Sequence, residues 1–266
     1  TAHDLQNPRG GRQALLAGLA RAGLSEDGLF TARRDPASLA GYLELHIEQG
    51  PRLYEVGVAI GVVSGIVGIA SYRLAFSGRA NHAGTTPMAA RRDAGLGAAG
   101  FILAARALVM EAFPGCVANV GMLRLDPGAF NIIPGRAELA LECRAADANT
   151  LERLQARLLE SAAQEAARYG LALEVTPVGR DAPAPMSQPV QQAILSAAAD
   201  LGLTTQSMPS GAGHDAQNLA MVCPTGMIFI PSVGGISHSP QETSRWDDCL
   251  NGANVLLGAA LRLALG

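Results

Sequence analysis

A chain of 266 residues, 48% hydrophobic and 16% charged, can bury a substantial core in one large or two medium domains and does not read as disordered. Its net charge of −3 offers no basic footprint for nucleic acid. The four cysteines, Cys116, Cys143, Cys223 and Cys249, are scattered without C-x-x-C spacing; this argues against a disulfide framework and for reduced thiols in a cytoplasmic protein.

The first six residues, 1–6, carry neither the basic stretch nor the apolar core of a signal peptide. Residues 14–23, with leucines at 15, 16 and 19 before Gly23, predict a helix. Residues 40–47 alternate as a strand does. Tyr42, Glu44, His46 and Glu48 share one face and Leu43, Leu45 and Ile47 the other, until Gly50-Pro51 breaks the run. A short helix or turn is expected at 52–56.

From about residue 66 the pattern becomes self-contained. A strand over 70–77 leads through a Gly/Asn/His-rich loop to a long helix over 89–110, then to strands over 117–125 and 136–144 set apart by Pro127-Gly128 and Pro134-Gly135. A second helix, capped by Asp147 or Asn149, runs to Tyr169 and is closed by Gly170; a strand over 171–176 follows. The order β-α-β-β-α-β is the split-βαβ, ferredoxin-like arrangement. Beyond the proline-rich segment 182–185, Ser187 is expected to cap a helix over 189–201, followed by a strand at 227–230 and a helix over 247–265. The expected fold class is therefore α/β, with one α/β domain over 1–65 and 182–266 interrupted by a ferredoxin-like α+β unit over 66–181. The most apolar helical stretch, 94–105, is flanked by Arg92, Asp93 and Arg106 and falls short of the ~20 residues a bilayer requires, so no membrane association is expected.

Four of the five histidines, His46, His82, His214 and His238, sit at a strand end or among glycines and other small residues, where functional groups are commonly displayed. Each also has a plainer reading. A histidine beside an apolar strand is more often a hydrogen-bonded core or edge residue than a ligand, and glycine-rich loops often serve only as turns. Ser210 with His214 and Asp215 suggests a nucleophilic triad, but no G-x-S-x-G elbow surrounds the serine. Arg91-Arg92 reads as a solvated helix start. Arg144, near the end of an alternating strand, is either a surface charge or a bidentate partner for a substrate carboxylate. H-E-x-x-H, cysteine-rich zinc patterns and phosphate-binding loops are absent. Spacing alone leaves these choices open.

Taken together, five co-linear segments closely resemble the amidase/hydantoinase/carbamoylase family, which comprises N-carbamoyl-L-amino-acid hydrolases, allantoate and ureidoglycolate amidohydrolases and β-ureidopropionases. They are Glu44-Leu45-His46-Ile47-Glu48-Gln49-Gly50-Pro51, His82-Ala83-Gly84-Thr85-Thr86-Pro87-Met88, Asn131-Ile132-Ile133-Pro134-Gly135 with Arg144, the loop from Ser210 to Ala216, and Gly235-Ile236-Ser237-His238-Ser239-Pro240. The resemblance implies a dinuclear-metal, aminopeptidase-like catalytic domain with an inserted lid that also forms a homodimer. It implies His46 and His238 as metal ligands, His82 as a catalytic residue reaching a partner subunit's site, and Gln49, Asn131, Arg144, Gly213 and His214 as substrate-binding residues. It further implies two divalent ions (Mn, Zn, Co or Ni), a bridging water and a small ureido-acid substrate, hydrolysed to ammonia, carbon dioxide and an amino acid or related amine.

One departure accompanies the match. The family pattern places a His-x-Asp motif and a Glu-Glu pair upstream of the histidine strand, whereas here His3-Asp4 is adjacent rather than spaced and Glu26-Asp27 follows a helix. The resemblance then implies a chain that begins just beyond the Glu-Glu segment, holds an incomplete metal site and is inactive alone. Two other readings stand beside it: a related metallopeptidase or aminoacylase cleaving an amide, and a non-enzymatic dimerisation or binding module.

Overall fold

In the computed structural model of the chain, residues 5, 6, 8, 10–32 and 34–265 are described. His3-Asp4 lies outside them. The chain divides into two compact units, 1–40 and 41–266. In the first, helix α1 (Arg12–Arg21) begins and ends two residues earlier than its leucine pattern predicts. A second helix, α2 (Glu26–Thr31), places Glu26 and Asp27 in its first turn, where carboxylates favour the positive end of the helix dipole. Its cap is Ser25, whose Oγ accepts from Gly28 N at 3.0 Å, and Arg12 reaches Glu26 at 2.6 Å.

The second unit contains two sheets. One is built from β1 (Tyr42–Ile47), β2 (Ile60–Ile66), β7 (Ala184–Pro185), β8 (Thr205–Ser210) and β9 (Thr225–Ile230), in the order β1-β9-β2-β7 with β8 also on β2. Strand β1 runs parallel to β9, pairing His46 with Phe229. Leu43, Leu45 and Ile47 pack with Ile228 and Ile230 against α6 (Gln188–Asp200) and α8 (Trp246–Leu265). Tyr42 falls on the opposite side, with Leu53 of α3 (Arg52–Val56), Ala216 of α7 (Asp215–Leu219) and Phe229. The alternation expected for 40–47 thus separates an apolar floor from the face that carries Tyr42, Glu44 and His46.

The other sheet comprises β3 (Gly68–Ser77), β4 (Val117–Asp126), β5 (Arg136–Ala145) and β6 (Ala172–Asp181), in the order β4-β5-β3-β6 with every pair antiparallel. With α4 (Ala94–Ala112) and α5 (Ala148–Arg168), this is the ferredoxin-like order expected from the sequence. Strand β5 alternates cleanly: Ala137, Leu139, Leu141, Cys143 and Ala145 are buried against the helices. Asp147 caps α5 by accepting from Thr150 N at 2.9 Å, and those hydrogen bonds hold its carboxyl below the usual carboxylate range.

Several expectations are corrected. Helix α4 starts only at Ala94, because Met88–Ala90 forms a separate 3-10 turn; it then continues for 19 residues, so by length and composition it could cross a membrane. In this structure it lies on the β3–β6 sheet, burying Ala94, Gly97, Ala98, Phe101, Ala105 and Val109. Ser187 occupies the N-cap position of α6 but makes no side-chain cap bond. Arg91 and Arg92 are not a solvated helix start: Arg91 donates to Ala83 O at 2.6 Å and Thr86 O at 3.2 Å, and Arg92 to Gly170 O at 2.6 Å.

Candidate active site

A cleft of about 650 Å³ opens between the two sheets, lined on one side by Gln49, Pro51, Met208, Phe229 and His238 and on the other by Val117 and Arg144. Three of the expected site residues, Gln49, Arg144 and His238, therefore meet in one cavity. Arg144 sits near the end of β5. Its Nε and Nη2 lie 2.8 and 2.7 Å from Glu142 Oε1, and its Nη1 donates to Gly211 O at 2.5 Å.

Gln49 and His238 share an uncommon backbone state. Both have positive φ, 59° and 56°, a left-handed conformation that costs a non-glycine residue energy and survives only where neighbours hold it. The restraints are visible. Gln49 N donates to the buried Ser232 Oγ at 2.9 Å, and Gln49 Nε2 to Ser237 Oγ at 3.3 Å. Glu242 accepts from Ser237 Oγ at 2.6 Å and from His238 N at 3.0 Å, and these two bonds draw its carboxyl below the usual range. Glu48 accepts from Arg52 N and Leu53 N at 3.0 and 2.7 Å, tying the same turn to α3. Gly235 is required where the two loops touch, because a Cβ there would lie 2.6 Å from Pro51 N.

His46 lies at the end of β1, half-buried, and its Nδ1 is 2.8 Å from Ile47 O. A carbonyl can only accept, so Nδ1 carries a proton, and in the neutral ring Nε2 is then the nitrogen left with a lone pair for a metal ion. Its ring meets the His214 ring edge-on, with centroids 4.6 Å apart at 68°. Among the described residues, no group of three or more His, Cys, Asp or Glu side chains is close enough to hold an ion. The donor set described here does not by itself fit a metal centre.

Gly213 and His214, also expected as substrate contacts, line a second cavity of about 640 Å³, with Arg180, Asp181 and Asn218, rather than the cleft of Arg144. The His214 side chain is only 3% exposed, and its Nε2 is 2.8 Å from Ser210 Oγ. Burial, then His46, lowers its pKa to about 4. The acid nearest its Nδ1 is Glu44, at 3.6 Å, rather than the neighbouring Asp215 considered for a triad. Glu44 Oε2 also accepts from Ala216 N at 2.8 Å and from Tyr42 O–H at 3.2 Å. Burial and Glu44 together raise the Tyr42 pKa. Ser210 is 1% exposed, so no substrate reaches it as a nucleophile.

His82 and Asn131 form a second cluster. His82 bridges to Ile132, and Ala83 N donates to Asn131 O at 2.9 Å. Gly84 N donates to His82 Nδ1 at 3.1 Å, which leaves the ring proton on an exposed Nε2. The cluster adjoins the start of β5, whereas Arg144 is eight residues along it, roughly 26 Å at ~3.3 Å per residue. Within one chain, Asn131 and Arg144 are therefore not brought together.

The sequence profile of Peptidase family M20/M25/M40 matches residues 7–262. The chain belongs to that family. Among its relatives, it is 38% identical to an N-carbamoyl-L-amino acid amidohydrolase of Geobacillus stearothermophilus, over 95% of this chain and 62% of the relative. It is also 38% identical to a ureidoglycolate hydrolase of Arabidopsis thaliana, over 90% of this chain and 51% of the relative. The fold is similar to that of a hydantoinase/carbamoylase family amidase from Burkholderia multivorans, with a TM-score of 0.81 and 38% identity over 85% of this chain and 55% of that one. The chain thus spans between half and about three-fifths of the length of these proteins.

Ser232 and Glu242 escaped the sequence reading of the site. Glu44, Ser210 and Ser237 lie within segments that it singled out, but the hydrogen bonds they make could not be read there.

Proposed function

We propose that this chain carries the substrate-recognition side of an amidohydrolase that cleaves the C–N bond of a ureido acid such as an N-carbamoyl amino acid or allantoate. The observation that carries the reading is the meeting of Arg144, Gln49 and His238 in one cleft. A guanidinium matches a carboxylate bidentately, and the Gln49 amide can accept from, or donate to, the ureido group beside it. The named relatives act on ureido compounds, which agrees with this pairing.

In this reading residues 1–65 and 182–266 form the catalytic domain and residues 66–181 the lid. The exposed Nε2–H of His82 is a suitable donor to the oxyanion that forms when water attacks the ureido carbonyl. In this reading His82 acts, with Asn131, on the cleft of a second copy, and the lid pairs as a homodimer; the far end of β5 from Arg144, where both lie, supports it. One water per substrate is consumed: the carbamoyl C–N bond breaks, ammonia leaves, and the carbamate falls to carbon dioxide and the free amine. Among the described residues, His46 and His238 are the two donors offered toward divalent ions such as Mn, Zn, Co or Ni. Two imidazoles are too few for a metal centre, so this chain alone supplies binding and orientation rather than turnover.

Calorimetric titration of the chain with N-carbamoyl-L-alanine and, separately, N-acetyl-L-alanine tests the assignment. Tighter binding of the ureido acid is expected. Preference for the acetyl compound would instead place the chain with amide-cleaving peptidases or aminoacylases.

A further inference from the structure

Three side chains from distant parts of the chain meet beside β1, and all three are almost wholly buried. Glu44 lies on β1, Ser210 at the end of β8 and His214 at the start of α7. The side chains of His214 and Glu44 are 3% and 13% exposed, and Ser210 is 1% exposed. A serine, a histidine and a glutamate in this order resemble a nucleophilic relay, but Ser210 Oγ is turned inward onto Ala212, accepting from its N at 3.2 Å and lying 3.0 Å from its O. What remains for such a relay is to hold a ring still.

Two proton arrangements satisfy the distances. In one, His214 carries its proton on Nε2 and donates to Ser210 Oγ, while Ser210 donates to Ala212 O. That leaves a bare Nδ1 lone pair 3.6 Å from the Glu44 carboxylate. In the other, Nδ1–H points at the carboxylate, Ser210 donates to Nε2, and Ala212 O loses one donor. The first opposes a buried anion with a lone pair; the second gives up only one bond to a neutral carbonyl. At 3.6 Å the contact is longer than a hydrogen bond, but an N–H dipole is attracted to the carboxylate and a lone pair is repelled by it, so the carboxylate decides.

We propose that Glu44 is a positioning residue that holds His214 in its Nδ1–H form, with Ser210 donating to Nε2, and that the His214 ring so fixed braces His46 edge-on. Glu44 is itself well anchored by Ala216 N and Tyr42 O–H. The His46 ring is then held at both ends, by the Ile47 carbonyl at Nδ1 and by the His214 ring across its side. The importance of His46 rests on the ureido-acid reading above; the proton placement on His214 does not.

Long-range 1H–15N correlation spectra of the chain labelled at histidine nitrogens, at neutral pH, test this. The expected spectrum shows His214 with a protonated Nδ1 and an unprotonated Nε2. Glu44→Gln should move the His214 nitrogens toward the opposite form and split or broaden the His46 ring signals, with the amide pattern of β1 and β9 intact. Ser210→Ala should leave Nδ1 protonated. A wild-type Nε2–H spectrum, or a Glu44→Gln variant whose His214 and His46 signals do not move, would overturn the proposal. Adding N-carbamoyl-L-alanine to the same samples reports separately on the functional reading: no response at the cleft with the relay pattern present would remove the substrate and leave the relay standing.

Discussion

Replacing Arg144 with alanine separates carboxylate recognition from everything else the cleft does. The guanidinium has five N–H donors, and three of its contacts are taken by Glu142 and Gly211 O, which leaves donors free toward the cavity. A hydrogen bond to a charged partner is worth about 1.5–3 kcal/mol, or roughly 10- to 150-fold in affinity. Glu142 already neutralises part of the Arg144 charge, so the lower half of that range is expected. Calorimetry with N-carbamoyl-L-alanine and with propylurea, which lacks the carboxylate, isolates the effect. Arg144→Ala should weaken the acid by roughly 10- to 50-fold and leave propylurea within about twofold. An equal loss for both ligands would mean that Arg144 shapes the cleft through Gly211 and does not take the carboxylate.

Other outcomes follow from the packing. Gly235→Ala forces a side chain into a left-handed backbone with φ 68° and brings Cβ within 2.6 Å of Pro51 N, so urea melts should show a loss of about 1–3 kcal/mol or more. Leu154→Ala, at a fully buried position of α5, should cost about 2–5 kcal/mol in the same assay. Cys143 is fully buried and its pKa is pushed up to about 11, first by burial and then by Glu142, so mass spectrometry should find it unalkylated by iodoacetamide at pH 7.5 until the chain unfolds.

The ferredoxin-like unit was legible because its strands alternate and its helix ends carry explicit signals, as with Asp147 and Gly170. The β1–β9 sheet was only half legible. Strand β2 is buried at most positions, so Ile60-Gly61-Val62-Val63 shows no alternation, and β8 has the sequence Thr-Gln-Ser-Met-Pro-Ser, polar and with a proline. Strand β7 hides in the proline-rich segment, where no strand is expected. In the site, the family resemblance pointed to Gln49, Arg144 and His238, but the sequence could not show that His214 turns inward. That orientation depends on Glu44, 170 positions away in the chain, and on a packing contact no local pattern records. Arg91 and Arg92 were misread for the same reason: their carbonyl partners, Ala83 and Thr86 in the loop and Gly170 after α5, come into reach only in the folded unit.

That the described residues offer two imidazole donors and no third is the claim on which turnover depends, and metal stoichiometry tests it most directly. After loading with manganese or zinc and removing excess by gel filtration, elemental analysis should find no ion, or at most one weakly held, per chain. Two tightly retained ions per chain would contradict the reading and make this polypeptide a hydrolase in its own right.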